Sequence, residues 1–136
     1  MKTSMKFLAA LTLGAFVFGS MSFAFPGDEW KAPETSKATK NPVKADKESI
    51  STGAEVWSKY CKSCHGKLGE GDGSKASELK TELSDFTQKS FQSQTDGELF
   101  YKVTKGKDEM PSSKKKNIED EDVWNLVNFM RTFAKK

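Results

Sequence analysis

The sequence is short of the residues from which most sites are built. Its 136 residues include one histidine, two cysteines and four prolines. A single histidine excludes any site that needs two imidazoles, the His-x-x-x-His zinc pair among them. Two cysteines cannot make a disulfide-rich scaffold. Charge of one sign is scarce as well: 22 Lys and Arg stand against 19 Asp and Glu, a net +3. That excess is too small for a nucleic-acid binder, which concentrates basic residues on one face. The chain length suits one domain rather than two.

What is present begins with an address. Lys2 and Lys6 precede an uncharged run, Phe7 to Gly19, and Ser22-Phe23-Ala24 offers the small residues a signal peptidase needs. Residues 1–24 therefore read as a secretory signal peptide. The alternative is an uncleaved anchor. Thirteen residues rise only about 20 Å, short of the ~30 Å hydrocarbon core, and no Lys or Arg closes the far side. Without Lys2 and Lys6 the remainder is close to neutral. Residues 25–49 follow, with three prolines, five lysines and five acids and no helical or strand period. They read as a flexible or disordered arm, with Trp30 the one residue able to dock on the body.

Residues 50–136 carry three helical signals and no convincing strand. Gly53 to Lys62 places Val56, Trp57 and Tyr60 along one side. A second helix opens at Thr95, whose hydroxyl can cap while Glu98 reaches back, and Gly106 stops it. A third opens at Asn117, with acids from Glu119 to Asp122 at its positive end. Val123, Leu126, Val127, Met130 and Phe133 then repeat on one face. A short helix over Lys75 to Leu83 is a fourth candidate. Three or four short helices joined by long loops give a small core. Something other than protein is expected to fill the middle.

Cys61-Lys62-Ser63-Cys64-His65 supplies the candidate. C-x-x-C-H is the attachment signal for c-type haem. Two cysteines three apart on a helical turn project the same way, so both sulfurs reach the two vinyl groups of one porphyrin. His65 is then held under the iron as the proximal ligand. A thioredoxin-like pair needs a βαβ context that is absent, and a structural zinc site needs four ligands. A Cys61–Cys64 disulfide would leave the small core unexplained. Export fits covalent haem attachment outside the bacterial cytoplasm.

With the only histidine used, a methionine is the natural distal ligand. Beyond the leader only Met110 and Met130 remain. Met130 lies on the apolar face of the third helix, where packing is its expected work. Met110 lies in a polar loop before Pro111, where no helix face demands an apolar residue. Met110 is therefore the expected distal ligand, with Lys105 and Lys107 as alternatives.

These residues resemble the small soluble class I cytochromes c of bacteria, over Ile50 to the C-terminus. Gly53 and Trp57 ahead of Cys61, Leu126 and Phe129 on the last helix, and the Met110-Pro111 pair match that family. So do Gly66, the Gly69-Glu70-Gly71-Asp72-Gly73 loop, the Asp85-Phe86-Thr87 turn and the helix start at Thr95 to Phe100. The resemblance implies an all-α cytochrome c-like bundle wrapped around one covalently attached haem, its first and last helices crossing. One departure stands out. Many relatives carry a proline in the glycine loop whose carbonyl receives the histidine's other N–H; here no proline lies between Pro42 and Pro111.

The function expected is one-electron transfer, not enzymatic catalysis, in a bacterial periplasm or an equivalent extracytoplasmic space. A haem catalyst needs an open coordination site and a distal acid-base group, and no second histidine exists. A gas-binding carrier would require Met110 to dissociate. Phe86, Phe91, Leu99, Phe100 and Val103 are expected to keep water from the porphyrin. Partners are expected among redox proteins: a membrane cytochrome complex, a terminal oxidase or a reductase. Docking through Lys102, Lys105, Lys107, Lys114, Lys115 and Lys116 would use charge complementarity; the alternative for these lysines is a solvated surface. Neither nucleic-acid binding nor stable membrane insertion after cleavage is expected.

Overall fold

The computed structural model describes residues 30–135. The expected signal peptide, 1–24, lies outside the described residues. Among the described residues six α-helices follow one another: α1 (Glu34–Lys37), α2 (Lys47–Tyr60), α3 (Lys62–His65), α4 (Lys89–Gln92), α5 (Asp96–Lys105) and α6 (Asp120–Arg131). Single 3-10 turns lie at Ala76–Glu78 and Lys114–Lys116. Among the described residues there is no strand, only one isolated bridge between Lys107 and Met110. The all-helical expectation holds. The excess over three or four helices comes from α1, α3 and α4, each one turn long.

The long helices are α2, α5 and α6, and each has a legible cause. Thr95 Oγ1 accepts from Glu98 N at 3.2 Å and Glu98 Oε2 accepts from Thr95 N at 2.7 Å, the reciprocal cap expected for α5. α2 starts six residues before the expected Gly53, because the Asp46 side chain accepts from Ser49 N at 3.1 Å. In α6 the cap is Glu119, not Asn117. Asn117 sits instead in the left-handed region at φ 52°, closing the 3-10 turn before the helix. Three acids, Asp120 to Asp122, occupy the first turn of α6 as the dipole favours.

α6 lies at the centre of the core. Val123, Leu126, Val127 and Met130 are all buried, and Phe133 falls just past the helix end, half-buried. α2 crosses α6 at Gly53. A Cβ added there would sit 2.2 Å from Asn125 O and 2.7 Å from Phe129 Cβ, so only a hydrogen fits between the two helices. Trp57, one turn on, packs its ring 6.0 Å from Phe129 and 5.0 Å from Phe133. Behind α6, Trp124 stacks on Phe100 of α5 at 3.9 Å.

The expectation of a flexible arm over 25–49 is corrected for residues 30–49. That segment forms α1, the start of α2 and a belt across α5 and α6. Asn41 Nδ2 donates to Trp124 O (3.2 Å) and to Asn128 Oδ1 (2.9 Å), while Asn128 Nδ2 donates to Val43 O and to Ser49 Oγ. Ser36 O and Thr39 O press on Gly97, where an added Cβ would lie 2.0 Å from Ser36 O. Lys102 Nζ stands 5.6 Å over the Trp30 ring, the docking foreseen for that tryptophan. The belt is held mainly by polar groups matched to buried partners, a device that leaves no apolar period in its own sequence. No helix among the described residues is long and apolar enough to cross a membrane.

Candidate functional site

Cys61, Cys64 and His65 share one helical turn that continues α2 with hardly a break. Cys61 N donates to Trp57 O, and Cys64 N and His65 N both donate to Cys61 O, at 3.1 and 3.0 Å. The two thiols are free and half-buried, not joined as a disulfide. Burial, aided by the neighbouring Cys64, pushes the Cys61 thiol up to about 12. A site that so disfavours a thiolate suits an uncharged thioether.

His65 is held by aromatic rings. Its imidazole lies 4.8 Å from the Phe86 ring and 5.8 Å from that of Trp57. Burial lowers its pKa below the usual histidine value. The neutral imidazole is thereby favoured, the form that binds metal. Trp57 Nε1 donates to Gly66 O at 3.1 Å, fastening the end of the attachment turn to α2. The His65 Nδ1 is buried with no hydrogen-bond partner. No proline lies in the loop that follows His65.

The loop after His65 folds back on the attachment turn. Gly71 N donates to His65 O, Gly73 N to Cys64 O and Lys75 N to Ser63 O, at 2.9, 3.1 and 2.8 Å. Farther on, the Asp85-Phe86-Thr87 turn presents Phe86 to His65. The Asp85 carboxylate, lowered by hydrogen bonds first from Gln88 and then from Thr87, organises that turn. Gln92 Nε2 ties it to the core by donating to Phe86 O and to Met130 O.

Of the five expected pocket residues, Phe86 touches His65, and Phe91 stacks on Phe86 at 3.9 Å with planes 8° apart. Leu99, Phe100 and Val103 lie on α5 in the same apolar cluster. Met110 lies in a hairpin after α5. Lys107 N donates to Met110 O (3.0 Å) and Met110 N to Lys107 O (2.8 Å), and Met110 is half-buried. Gly106 makes the hairpin possible: it takes φ 65°, and a Cβ there would lie 2.5 Å from Met110 O. Met130 is buried on α6, as a packing residue should be. Of the lysines, Lys105 and Lys114 to Lys116 are exposed, and Lys102 and Lys107 half-buried.

A family model described as "cytochrome c oxidase, cbb3-type, subunit III" matches residues 48–130, more than half of the chain. The chain belongs to this cytochrome c family. Two solved structures agree. One is from the reducing HAO-like protein complex Kustc0457/Kustc0458 of Kuenenia stuttgartiensis, 25% identical, with a TM-score of 0.63 over 79% of this chain and 53% of that one. The other is the c-type cytochrome KustC0563, 26% identical, with a TM-score of 0.52 over 61% of this chain and 98% of that one. The present chain thus spans about half the length of the first. No curated protein matches the sequence.

A cytochrome c domain with the Cys61–Cys64 pair implies c-type haem, and the local chemistry fits that group. Two free, half-buried sulfurs stand on one turn, beside a neutral imidazole flanked by aromatic rings. Cytochrome c domains are typically electron carriers. The Trp57–Gly66 hydrogen bond escapes sequence reasoning as part of the site, because an indole N–H on a helix carries no periodic signal.

Proposed function

We propose that this cytochrome c domain carries single electrons in the periplasm or an equivalent extracytoplasmic space. In this reading Cys61 and Cys64 are the haem tethers, His65 the proximal ligand and Met110 the distal one. The observation that carries it is the attachment turn itself, with free thiols and a desolvated imidazole side by side. When bound, the haem supplies a one-electron iron couple. The polypeptide does the rest. Trp57 and Phe86 fix the plane of His65, and Phe86, Phe91, Leu99, Phe100 and Val103 exclude water. That exclusion, with a thioether ligand, favours the reduced metal and raises the potential. With His65 and Met110 both holding the iron, no site would be left open for catalysis.

Cleavage after Ala24 would deliver the domain outside the cytoplasm, where haem attachment takes place. The family's description as an oxidase subunit favours an oxidase among the possible partners. Lys102, Lys105, Lys107 and Lys114 to Lys116 would meet an acidic partner surface. Electron transfer to such a partner is then expected to slow as salt rises from about 10 to 150 mM, where the screening length falls from roughly 30 to 8 Å. A rate independent of salt would remove the docking role and leave the lysines as a solvated surface.

The test is an absorption spectrum of the protein made in a haem-maturing host. Haem that stays with the polypeptide through acid-acetone extraction establishes the tethers. A near-infrared sulfur-to-iron band establishes the thioether ligand. Colourless protein with Cys61 and Cys64 joined as a disulfide would end the proposal.

A further inference from the structure

The hairpin that carries Met110 is anchored at two places of different kind. Its base is tied to α5: Gly106 N donates to Lys102 O, and beyond the hairpin Ser113 N donates to Val103 O, both at 3.0 Å. Its tip is tied across to another part of the chain. Glu109 Oε2 accepts from the consecutive backbone groups Lys80 N and Thr81 N, at 2.9 and 3.1 Å. Residues 80 and 81 follow the 73–75 stretch that is itself bonded to Cys64 O and Ser63 O. One carboxylate therefore links the Met110 hairpin to the loop that folds on the attachment turn. Neither Asp108, with its left-handed φ of 49°, nor Pro111, which has no N–H, makes a comparable tie.

We propose that Glu109 is a positioning residue for Met110, a latch that holds the hairpin closed and sets how often the sulfur leaves the iron. The inference rests on Met110 being the distal ligand. One side-chain oxygen that accepts from two N–H groups at once ties the hairpin tip to residues 80 and 81 by its position, with or without a charge. The hairpin opens as a unit, because its two internal backbone bonds survive when the latch lets go. An external ligand can bind only to the open form, so its apparent rate scales with the open fraction.

The test uses the haem-loaded full chain and cyanide binding to the oxidised protein, followed by stopped flow. Glu109→Ala is expected to bind cyanide about tenfold faster than the natural protein, with a weaker sulfur-to-iron band, while the unfolding midpoint stays nearly unchanged. Glu109→Gln keeps an oxygen that accepts both N–H groups and loses the same charge as Ala, so it should stay within about threefold of the natural rate. Equal acceleration in Gln and Ala would overturn the latch, since charge alone would then explain it. A natural protein with the sulfur band whose Glu109→Ala form binds cyanide at the natural rate would overturn the latch and leave Met110 as ligand. If the natural protein lacks the band and Met110→Ala binds cyanide no faster, the ligation reading fails and the latch fails with it.

Discussion

Gly53→Ala is expected to destabilise the protein by about 1–2 kcal/mol, against the direction that helix propensity gives. In a helix interior alanine is more favourable than glycine by about 1 kcal/mol. At Gly53 the packing effect opposes that gain and exceeds it. The new methyl would stand 2.2 Å from Asn125 O and 2.7 Å from Phe129 Cβ, and both are held by α6. Neither is the free end of a flexible side chain. The helices must separate by about 1 Å, and overpacking of this kind costs ~1–3 kcal/mol or more. Separation also loosens Trp57 from Phe129 and Phe133, and so the wall behind His65. Denaturant unfolding of the haem-loaded protein should show a lower midpoint with an unchanged slope. In thermal unfolding the midpoint should fall on the order of 10 °C. Ser51→Ala, on the exposed side of the same helix, is the propensity control and should be neutral or slightly stabilising. A Gly53→Ala protein as stable as the natural one would mean that α2 and α6 do not meet at this glycine.

That crossing shows what a sequence can and cannot disclose. Gly53, Trp57, Leu126 and Phe129 stand at spacings that resemble a known family, and the helices they mark do pack against each other. Thr95 and Glu98 announced the cap of α5 because both halves of a capping box are local. The attachment pentapeptide is local too. What could not be read is what depends on distant partners. The belt over 30–49 contains few apolar residues, and its fixing points, Asn41 on Asn128 and Ser36 on Gly97, join residues some 60 to 90 positions apart. Asn125 and Asn128 lie off the apolar stripe of α6, yet both are buried. Asp46 gives no cap signal in the sequence, because the first turn of α2 is polar and the apolar period begins only later. In the site the same division recurs. Cys61, Cys64 and His65 follow from adjacency, whereas the grip of Glu109 on residues 80 and 81 is a contact across 28 and 29 positions that composition does not foreshadow.

Met110→Ala is expected to change the spectrum strongly while the haem stays attached, and pairing it with Met130→Ala separates ligation from packing. On the proposed ligation, a thioether sulfur favours reduced iron. Its removal should abolish the near-infrared sulfur band and lower the potential by on the order of 0.1 V or more, within the roughly 0.8 V that axial ligation spans. Carbon monoxide on the reduced form and cyanide on the oxidised form should then bind promptly, because no protein ligand has to leave first. Stability should fall little by comparison, since Met110 is half-buried in a hairpin held by backbone bonds. Met130→Ala should behave in the opposite way. It empties a buried position on α6 and should cost about 2–4 kcal/mol, while the band and the potential stay near their natural values. The crossed pattern is the decisive outcome, because a general loosening of the fold would weaken the band in both variants. If the band survives Met110→Ala and disappears with Met130→Ala, the two methionines have exchanged roles. If neither substitution affects the spectrum and Lys105→Ala or Lys107→Ala does, the distal ligand is a lysine, and the hairpin brings an amine to the iron instead of a sulfur.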